Sequence, residues 1–408
     1  MGAPKTAVST PWIGLFTLAG AVFVSVTSEL LPTGLLPQMA EGLGVSQSRI
    51  GLLVAIFATM VVISAIALTG LTRRIPRKPL VLGVLVIFAA ANFLIAVAPN
   101  YEVVVAARVL GGLAQGLFWS VVGAYPGHLL PKEKLARGVA ITSAGGSAAF
   151  VLGVPAGTAL GHTVGWQLAF AILGIVVLVL ALVALKFLPS VHHRHDVVTE
   201  GVHRTTDASP SPYRAWHRNP TVVVIALVFL IVFTLMTGHN TFYTYIVPFF
   251  TEVNGFAPEW VSGLLLVNGV AGVLGLVLVA TLWARFPRTG LILSVVITAI
   301  AVLTIGLLPL EHVLVIAALA VWGIAMSAPP ALLQTKMLQT VPPRVRDIAA
   351  AIMTTGFNLG IATGALLGSG VLESVGLEVL PLIAAAVLGG CLVLVVIGDR
   401  ALRFAHVE

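Results

Sequence analysis

The chain has 408 residues, 58% of them hydrophobic and 9% charged, with a mean hydropathy of +1.06 and a formal net charge of +7. Water-soluble domains carry about 25% charged residues, so this composition excludes a water-soluble globule and points to lipid as the main solvent. Cys391 is the single cysteine, which excludes an internal disulfide.

A bilayer-spanning helix needs about 20 mainly apolar residues. In chain order, such runs fall at residues 12–36, 50–72, 80–98, 102–125, 136–161, 165–187, 221–249, 260–284, 290–309, 312–335, 346–371 and 377–398. Helices are the expected element, because lipid cannot satisfy open backbone groups. The first run is too long for a signal-peptide core and reads as a retained span.

The cations fix an orientation. Twenty of the 22 Lys and Arg residues fall on one side of the twelve runs; Arg49 is on the other side and Arg108 is inside span 4. The positive-inside rule therefore predicts cytoplasmic termini. The outer loops carry acids instead, among them Glu41, Glu102, Glu252, Glu259, Glu311, Glu373 and Glu378. The basic balance thus reflects membrane orientation, and no nucleic-acid partner is expected.

The two halves repeat. RIPRKPLVL (74–82) matches RFPRTGLIL (285–293) at an offset of 211 residues, and the same offset pairs Gly145 with Gly356, Gly153 with Gly364, Val164-Gly165 with Val375-Gly376 and Pro37 with Pro248. The expected organisation is an all-α integral membrane protein of 12 transmembrane helices in two pseudo-symmetric six-helix bundles, residues 1–188 and 220–408, joined by a cytoplasmic linker at 189–219. The linker's HHRHD cluster (192–196) reads as a solvated loop, since no second ligand set stands at a defined spacing. No metal is expected. Parallel repeats with a midplane site between them are a pattern of secondary transporters.

SELLPTGLLPQMAEGLGVS (28–46), ARVLGGLAQG (107–116), GVPAGTALGHTVGW (153–166), FYTYIVPF (242–249) and FNLGIATGALLG (357–368) together cover nearly the whole architecture. In them the chain resembles the major facilitator superfamily, specifically its twelve-span drug/proton antiporters, and among these bacterial sugar-efflux and chloramphenicol-resistance-type permeases. The resemblance implies proton-coupled efflux of sugars, drugs or other small organic molecules by alternating access, in a bacterial inner membrane. It also implies conformational roles for Arg73, Arg74 and Arg77 after span 2 and for Gly153, Pro155 and Gly157 of span 5. One departure stands out: GLTRRIPRK (70–78) keeps the bases of the family's loop after span 2 and lacks its acid.

The sites follow from the polar residues inside spans. Glu29 lies about 25 Å along span 1 from its inner end, and Arg108 about 9 Å into span 4 from its outer end, so both fall in the outer half of the membrane. An intramembrane ionisable group is a functional-site hypothesis by default, and Arg108 is the named partner of Glu29. Two roles are open for Glu29: a carboxylate that exchanges a proton as burial and a nearby cation compete, or a fixed ion pair tying spans 1 and 4. For Arg108 the family motif favours contact with the span 1 backbone. The repeat places Asn240 opposite Glu29, within GHNTFYTY (238–245). His239, Asn240 and Tyr243, with Gln115 and Trp119 on span 4, Asn268 on span 8 and Asn358 on span 11, are the candidate substrate-binding residues. Gln115, Asn268 and Asn358 fit cavity lining and interhelical hydrogen bonding equally, and His239 fits a titrating or a satisfied histidine. The small-residue rows Ala149-Gly153-Gly157-Gly161 and Gly356-Gly360-Gly364-Gly368 fit close helix packing or a sliding interface between halves.

No GxxxxGK[ST], HExxH or nucleophile elbow is present, so no catalytic residues, no enzyme activity and no cofactor are expected. The expected partners are a small organic substrate, protons and the lipid bilayer, for a chain that works as a monomer. An uptake symporter or uniporter on the same scaffold is the nearest alternative; a membrane sensor or scaffold fits less well, since no loop is long enough to fold alone.

Overall fold

Caps and breakers set the helix ends. The structure, a computed structural model, describes residues 11–72, 75–123, 125–130, 134–189, 220–283, 285–341 and 345–404. Arg73, Arg74 and the 192–196 histidine cluster lie outside the described residues. Ser46 starts span 2 by accepting from the Arg49 N–H, and Asn100 starts span 4 by accepting from the Val103 N–H at 3.1 Å. Both satisfy backbone donors that a helix start leaves unpaired.

Among the described residues, twelve helices are long and apolar enough to cross a membrane: Trp12–Gly34, Gln47–Ala65, Arg77–Ala96, Tyr101–Val122, Arg137–Val164, Trp166–Phe187, Thr221–Tyr243, Pro258–Trp283, Pro287–Leu307, His312–Met337, Ile348–Ser374 and Leu377–Gly398. They are spans 1 to 12 below. Each matches a predicted run; span 7 ends earlier, because the helix breaks at Thr244 and Tyr245 and resumes as the short turn Ile246–Pro248.

The repeat is written into the backbone. Among the described residues, four glycines have a left-handed φ: Gly44 (63°), Gly165 (90°), Gly255 (69°) and Gly376 (113°). They form two pairs, Gly44 with Gly255 and Gly165 with Gly376, each separated by the 211 residues of the sequence repeat. Side chains with a Cβ rarely adopt this conformation, so both halves require glycine at the same two turns.

Packing repeats as well. Span 1 packs on spans 5 and 6, span 2 on span 4, and span 3 on spans 4 and 6; span 7 packs on 11 and 12, span 8 on 10, and span 9 on 10 and 12. Between the halves, span 2 meets span 11 and span 5 meets span 8, contacts that a two-fold pseudo-symmetry exchanges.

The small-residue rows lie inside the halves. A Cβ on Gly153 would stand 2.0 Å from Thr27 Oγ1, and one on Gly157 2.8 Å from a Leu31 methyl. In span 11, a Cβ on Gly364 would stand 2.5 Å from the Thr237 carbonyl and one on Gly368 2.6 Å from that of Thr241. The rows therefore seat span 1 on span 5 and span 7 on span 11. Of the two readings of these rows, the geometry favours helix packing within each half: in span 11 the approach is main chain to main chain, and in span 5 the glycines seat the side chains of Thr27 and Leu31.

Span 5 widens for one turn just before Pro155. The helix is α-helical over Leu135–Ala148, becomes a π-turn over Ala149–Gly153 and resumes at Val154. The Val154 N–H reaches back five residues to the Ala149 carbonyl. Pro155 has no N–H to offer the preceding turn, and the π-turn accommodates that loss.

Candidate functional site

Glu29 and Pro32 share span 1, three residues apart, and Pro32 is inside the helix. Proline lacks the N–H that would bond the carbonyl four residues back, here that of Ser28. Arg108 supplies the missing donor. Its Nη1 donates to the Ser28 carbonyl at 3.1 Å, its Nη2 to the Glu29 carbonyl at 2.9 Å and its Nε to the Leu53 carbonyl at 3.4 Å. The guanidinium carbon lies 4.1 Å from the centre of the Phe57 ring, and the residue is 2% exposed. Arg108 thus ties span 4 to spans 1 and 2 through backbone oxygens.

The Glu29 carboxylate takes a different partner. Gln115 Nε2 donates to Glu29 Oε2 at 2.9 Å, and Ser25 Oγ donates to Gln115 Oε1 at 2.7 Å. Among the described residues the ion pair within 4 Å is Arg49 with Glu102, exposed on the predicted outer side. The expected pairing of Glu29 with Arg108 is therefore made through Glu29's main chain, and its half-buried carboxylate is free of a fixed ion pair. Beside it, Ser28 Oγ donates to Asn92 Oδ1 of span 3 at 3.0 Å.

A cavity of about 300 Å³ lies between the halves. It runs from Tyr243, at the end of span 7, to Leu276 and Pro330 in the later parts of spans 8 and 10, and Leu30, next to Glu29, lines it. Most of its wall is apolar. Its polar groups concentrate on the second half, in His239, Asn240, Tyr243, Asn268 and Trp322. His239 stacks on Tyr243 with centroids 4.8 Å apart, and Trp322 meets both rings edge-on at 5.2 and 5.8 Å. His239 Nδ1 and Trp322 Nε1 are buried without a hydrogen-bond partner among the described residues. A ligand carrying oxygen atoms and an apolar face matches this wall.

The cavity is shut on the predicted outer side by contacts across the halves. Ser48 bonds Glu373, Ser369 donates to the Ser48 carbonyl at 3.4 Å, and Gln47 donates to Glu252 at 2.5 Å. The Tyr245 hydroxyl donates to the Ala365 carbonyl at 2.9 Å while pressing on Gly51, where a Cβ would stand 2.0 Å from it.

The family model for the Major Facilitator Superfamily matches residues 18–310 and 267–403. The chain belongs to this superfamily. A relative from Mannheimia succiniciproducens, described as a probable sugar efflux transporter, is 29% identical over 368 residues, covering 89% of this chain and 88% of the relative. The crystal structure of a mutant of the nucleoside transporter NupG is similar at a TM-score of 0.74 with 15% identity, covering 96% of this chain and 99% of that one. A bacterial homologue of the human lysosomal transporter Spinster, in an inward-facing and occupied conformation, is similar at a TM-score of 0.67 with 16% identity, covering 96% of each chain. This major facilitator chain is accordingly a multi-pass membrane transporter.

The structure brings together part of the predicted site. His239, Asn240, Tyr243 and Asn268 line the cavity. Asn268 also donates to the Leu319 carbonyl at 3.2 Å, and Asn240 to the carbonyl of Met236 on its own helix at 3.0 Å. Three other residues lie away from the lining. Gln115 is fully buried against Glu29. Asn358 donates to Thr354 of its own helix at 3.0 Å. Trp119 faces a separate cavity of about 50 Å³ with Thr142 and Ser143 near the inner ends of spans 4 and 5. Of the loop cations, Arg77 is described and is half-buried. Sequence reasoning missed Trp322, although its position before Gly323, a glycine of the repeat, was a usable signal: an indole N–H in so apolar a span needs a partner.

Proposed function

We propose that this transporter is a proton-coupled efflux permease for sugars and related small organic molecules, working by alternating access. The observation that supports it is the Glu29 carboxylate, held in the outer half of the membrane beside the cavity by an amide instead of a cation. Such a group can bind and release a proton as water reaches it from one side and then the other. Arg108 provides positive charge nearby while its donors are committed to carbonyls. Glu29 takes a proton with the cavity facing outward and returns it with the cavity facing inward. Substrate occupies the Tyr243–His239–Trp322 wall in the opposite sense. The relative described as a probable sugar efflux transporter supports the sugar class and the direction. The distribution of Lys and Arg supports cytoplasmic termini in a bacterial inner membrane, with Gly153, Pro155 and Gly157 shaping the span 5 hinge and Arg73, Arg74 and Arg77 anchoring the inner loop. The unit is proposed to be a monomer, with 1–188 and 220–408 as its two bundles and 189–219 as the linker.

The test is flux of radiolabelled mono- and disaccharides in proteoliposomes under an imposed pH gradient. Sugar moving against the proton gradient, and a loss of that response in Glu29→Gln, is the expected result. Sugar moving with the protons establishes uptake symport instead, and flux indifferent to the gradient establishes a uniporter.

A further inference from the structure

Gln115 is the residue whose position the substrate-binding reading does not explain. It is 0% exposed and lies outside the cavity wall. Its amide is bound at both ends, and the bonds have a direction. A serine hydroxyl donating to Oε1 leaves the NH₂ end to face Glu29, and that end donates to Oε2. Nearby Asn92 offers a contrast: its amide accepts from Ser28 and donates to the Phe88 carbonyl of its own helix, a purely structural arrangement. Of these two amides, Gln115 is the one that turns its donor towards a group that can change charge.

We infer that Gln115, oriented by Ser25, is a positioning residue that sets the pH at which Glu29 exchanges its proton. This rests on the proton-coupling role proposed above for Glu29. A donor to the charged form of an acid favours that form, whereas a protonated carboxyl has its own hydrogen to donate and gains less from an amide N–H. The Gln115 bond is therefore worth more before proton binding than after it. Releasing the proton towards the inner side restores it.

The other charged or titratable groups on the helices packed around span 1 have contacts of their own or lie away from the carboxylate: Arg77 and Lys78 open span 3, about 22 Å along that helix from Asn92, the residue beside Ser28. Arg108 of span 4 acts on Glu29 through space, its donors being spent on carbonyls. Arg49 of span 2 pairs with Glu102. On span 5, Arg137 lies over the Trp12 ring and His162 bonds Gln38. Lys186 of span 6 lies over Phe187. Beyond span 7, Glu252 accepts from Gln47; within span 7, His239 and Tyr243 stack on each other.

The experiment is a pH titration of purified, lipid-reconstituted protein by infrared difference spectroscopy, which needs no substrate. The carboxyl band that titrates in wild type and is missing in Glu29→Gln reports Glu29. In Gln115→Leu its midpoint is expected to move to higher pH by about one unit, the order expected for losing a hydrogen bond to a charged group. Gln115→Leu leaves the Ser25 hydroxyl without its acceptor, so the double variant Ser25→Ala with Gln115→Leu, which removes both ends, is run beside it and is expected to show the same shift. A midpoint unchanged in both variants overturns the inference, even where the melting temperature falls, since that is the signature of packing alone. Absence of any Glu29-dependent band that titrates overturns the coupling role of Glu29 itself, and the inference with it; a band that titrates identically with and without Gln115 overturns the inference alone.

Discussion

Arg108 bonds the main-chain oxygen of Glu29 at 2.9 Å while the side chain of Glu29 is bonded by Gln115 at the same distance. Two residues expected to form an ion pair are therefore joined by a link that does not depend on the carboxylate's charge. The separation has a physical cause in Pro32, which leaves the Ser28 carbonyl in need of a donor. The fixed-pair alternative for Glu29 loses its basis, because protonating the acid breaks none of the guanidinium's bonds.

Glu29→Gln is accordingly expected to fold. Melting of the detergent-solubilised variant, followed by fluorescence, should stay within a few degrees of wild type or rise, since a costly buried charge is replaced by a neutral amide. A collapse in yield and melting temperature would mean that the acid is structural.

Arg108→Ala is expected to do the reverse. It strips donors from three buried carbonyls and leaves Ser28 unsatisfied, at a cost of about 1–3 kcal/mol for such a group. Folded yield and melting temperature should drop sharply. Arg108→Lys should recover only part, because an ammonium on a flexible stem does not reproduce the planar fork that reaches two neighbouring carbonyls.

Trp322→Phe keeps an aromatic ring and removes the indole N–H that has no partner among the described residues. If that N–H serves the substrate, the apparent KM for a transported sugar should rise roughly tenfold with little change in expression, the size of one hydrogen bond. An unchanged KM would assign the tryptophan to packing against Phe242, whose ring it stacks on at 5.6 Å.

Gly364→Val should fail before transport can be measured. The new side chain would meet the Thr237 carbonyl and Asn240, forcing span 11 off span 7. Reduced folded yield is the expected reading on size-exclusion chromatography; a well-folded variant with altered transport rate would restore the sliding-interface interpretation of this row.

Glu373→Gln weakens the contact with Ser48 that helps hold the outer end shut. Outer-end opening can be read by alkylating a cysteine placed at Ser369, because the native Cys391 is 0% exposed and reacts little. Labelling of that cysteine should speed up severalfold in Glu373→Gln. Equal rates would show that apolar contacts between spans 2 and 11 suffice.

Much of the architecture was legible because lipid imposes strong rules on sequence. Span number followed from apolar run length, and the 211-residue offset reappears as paired left-handed turns. The candidates of span 7 and those of spans 4 and 11 divided differently. His239, Asn240 and Tyr243, picked out through the pseudo-symmetric position of Glu29, sit in the cavity wall. Gln115 and Asn358 did not, because a polar side chain in a span satisfies itself at the nearest acceptor, and helical spacing gives a face without saying what stands opposite. The closure at Ser48 and Glu373 was invisible for a similar reason: the two residues are 325 positions apart and belong to different halves.

The matched turns at Gly44 and Gly255 and at Gly165 and Gly376 mean that both halves were cast from one template. A machine built from duplicate parts can trade the shapes of those parts and arrive at its own mirror state for little net energy. Such near-degeneracy leaves the choice between states to whatever breaks the likeness. Where one copy has Glu29 the other has Asn240, its amide tied to its own helix, so the likeness breaks at a position that holds a carboxylate in one half and a neutral amide in the other.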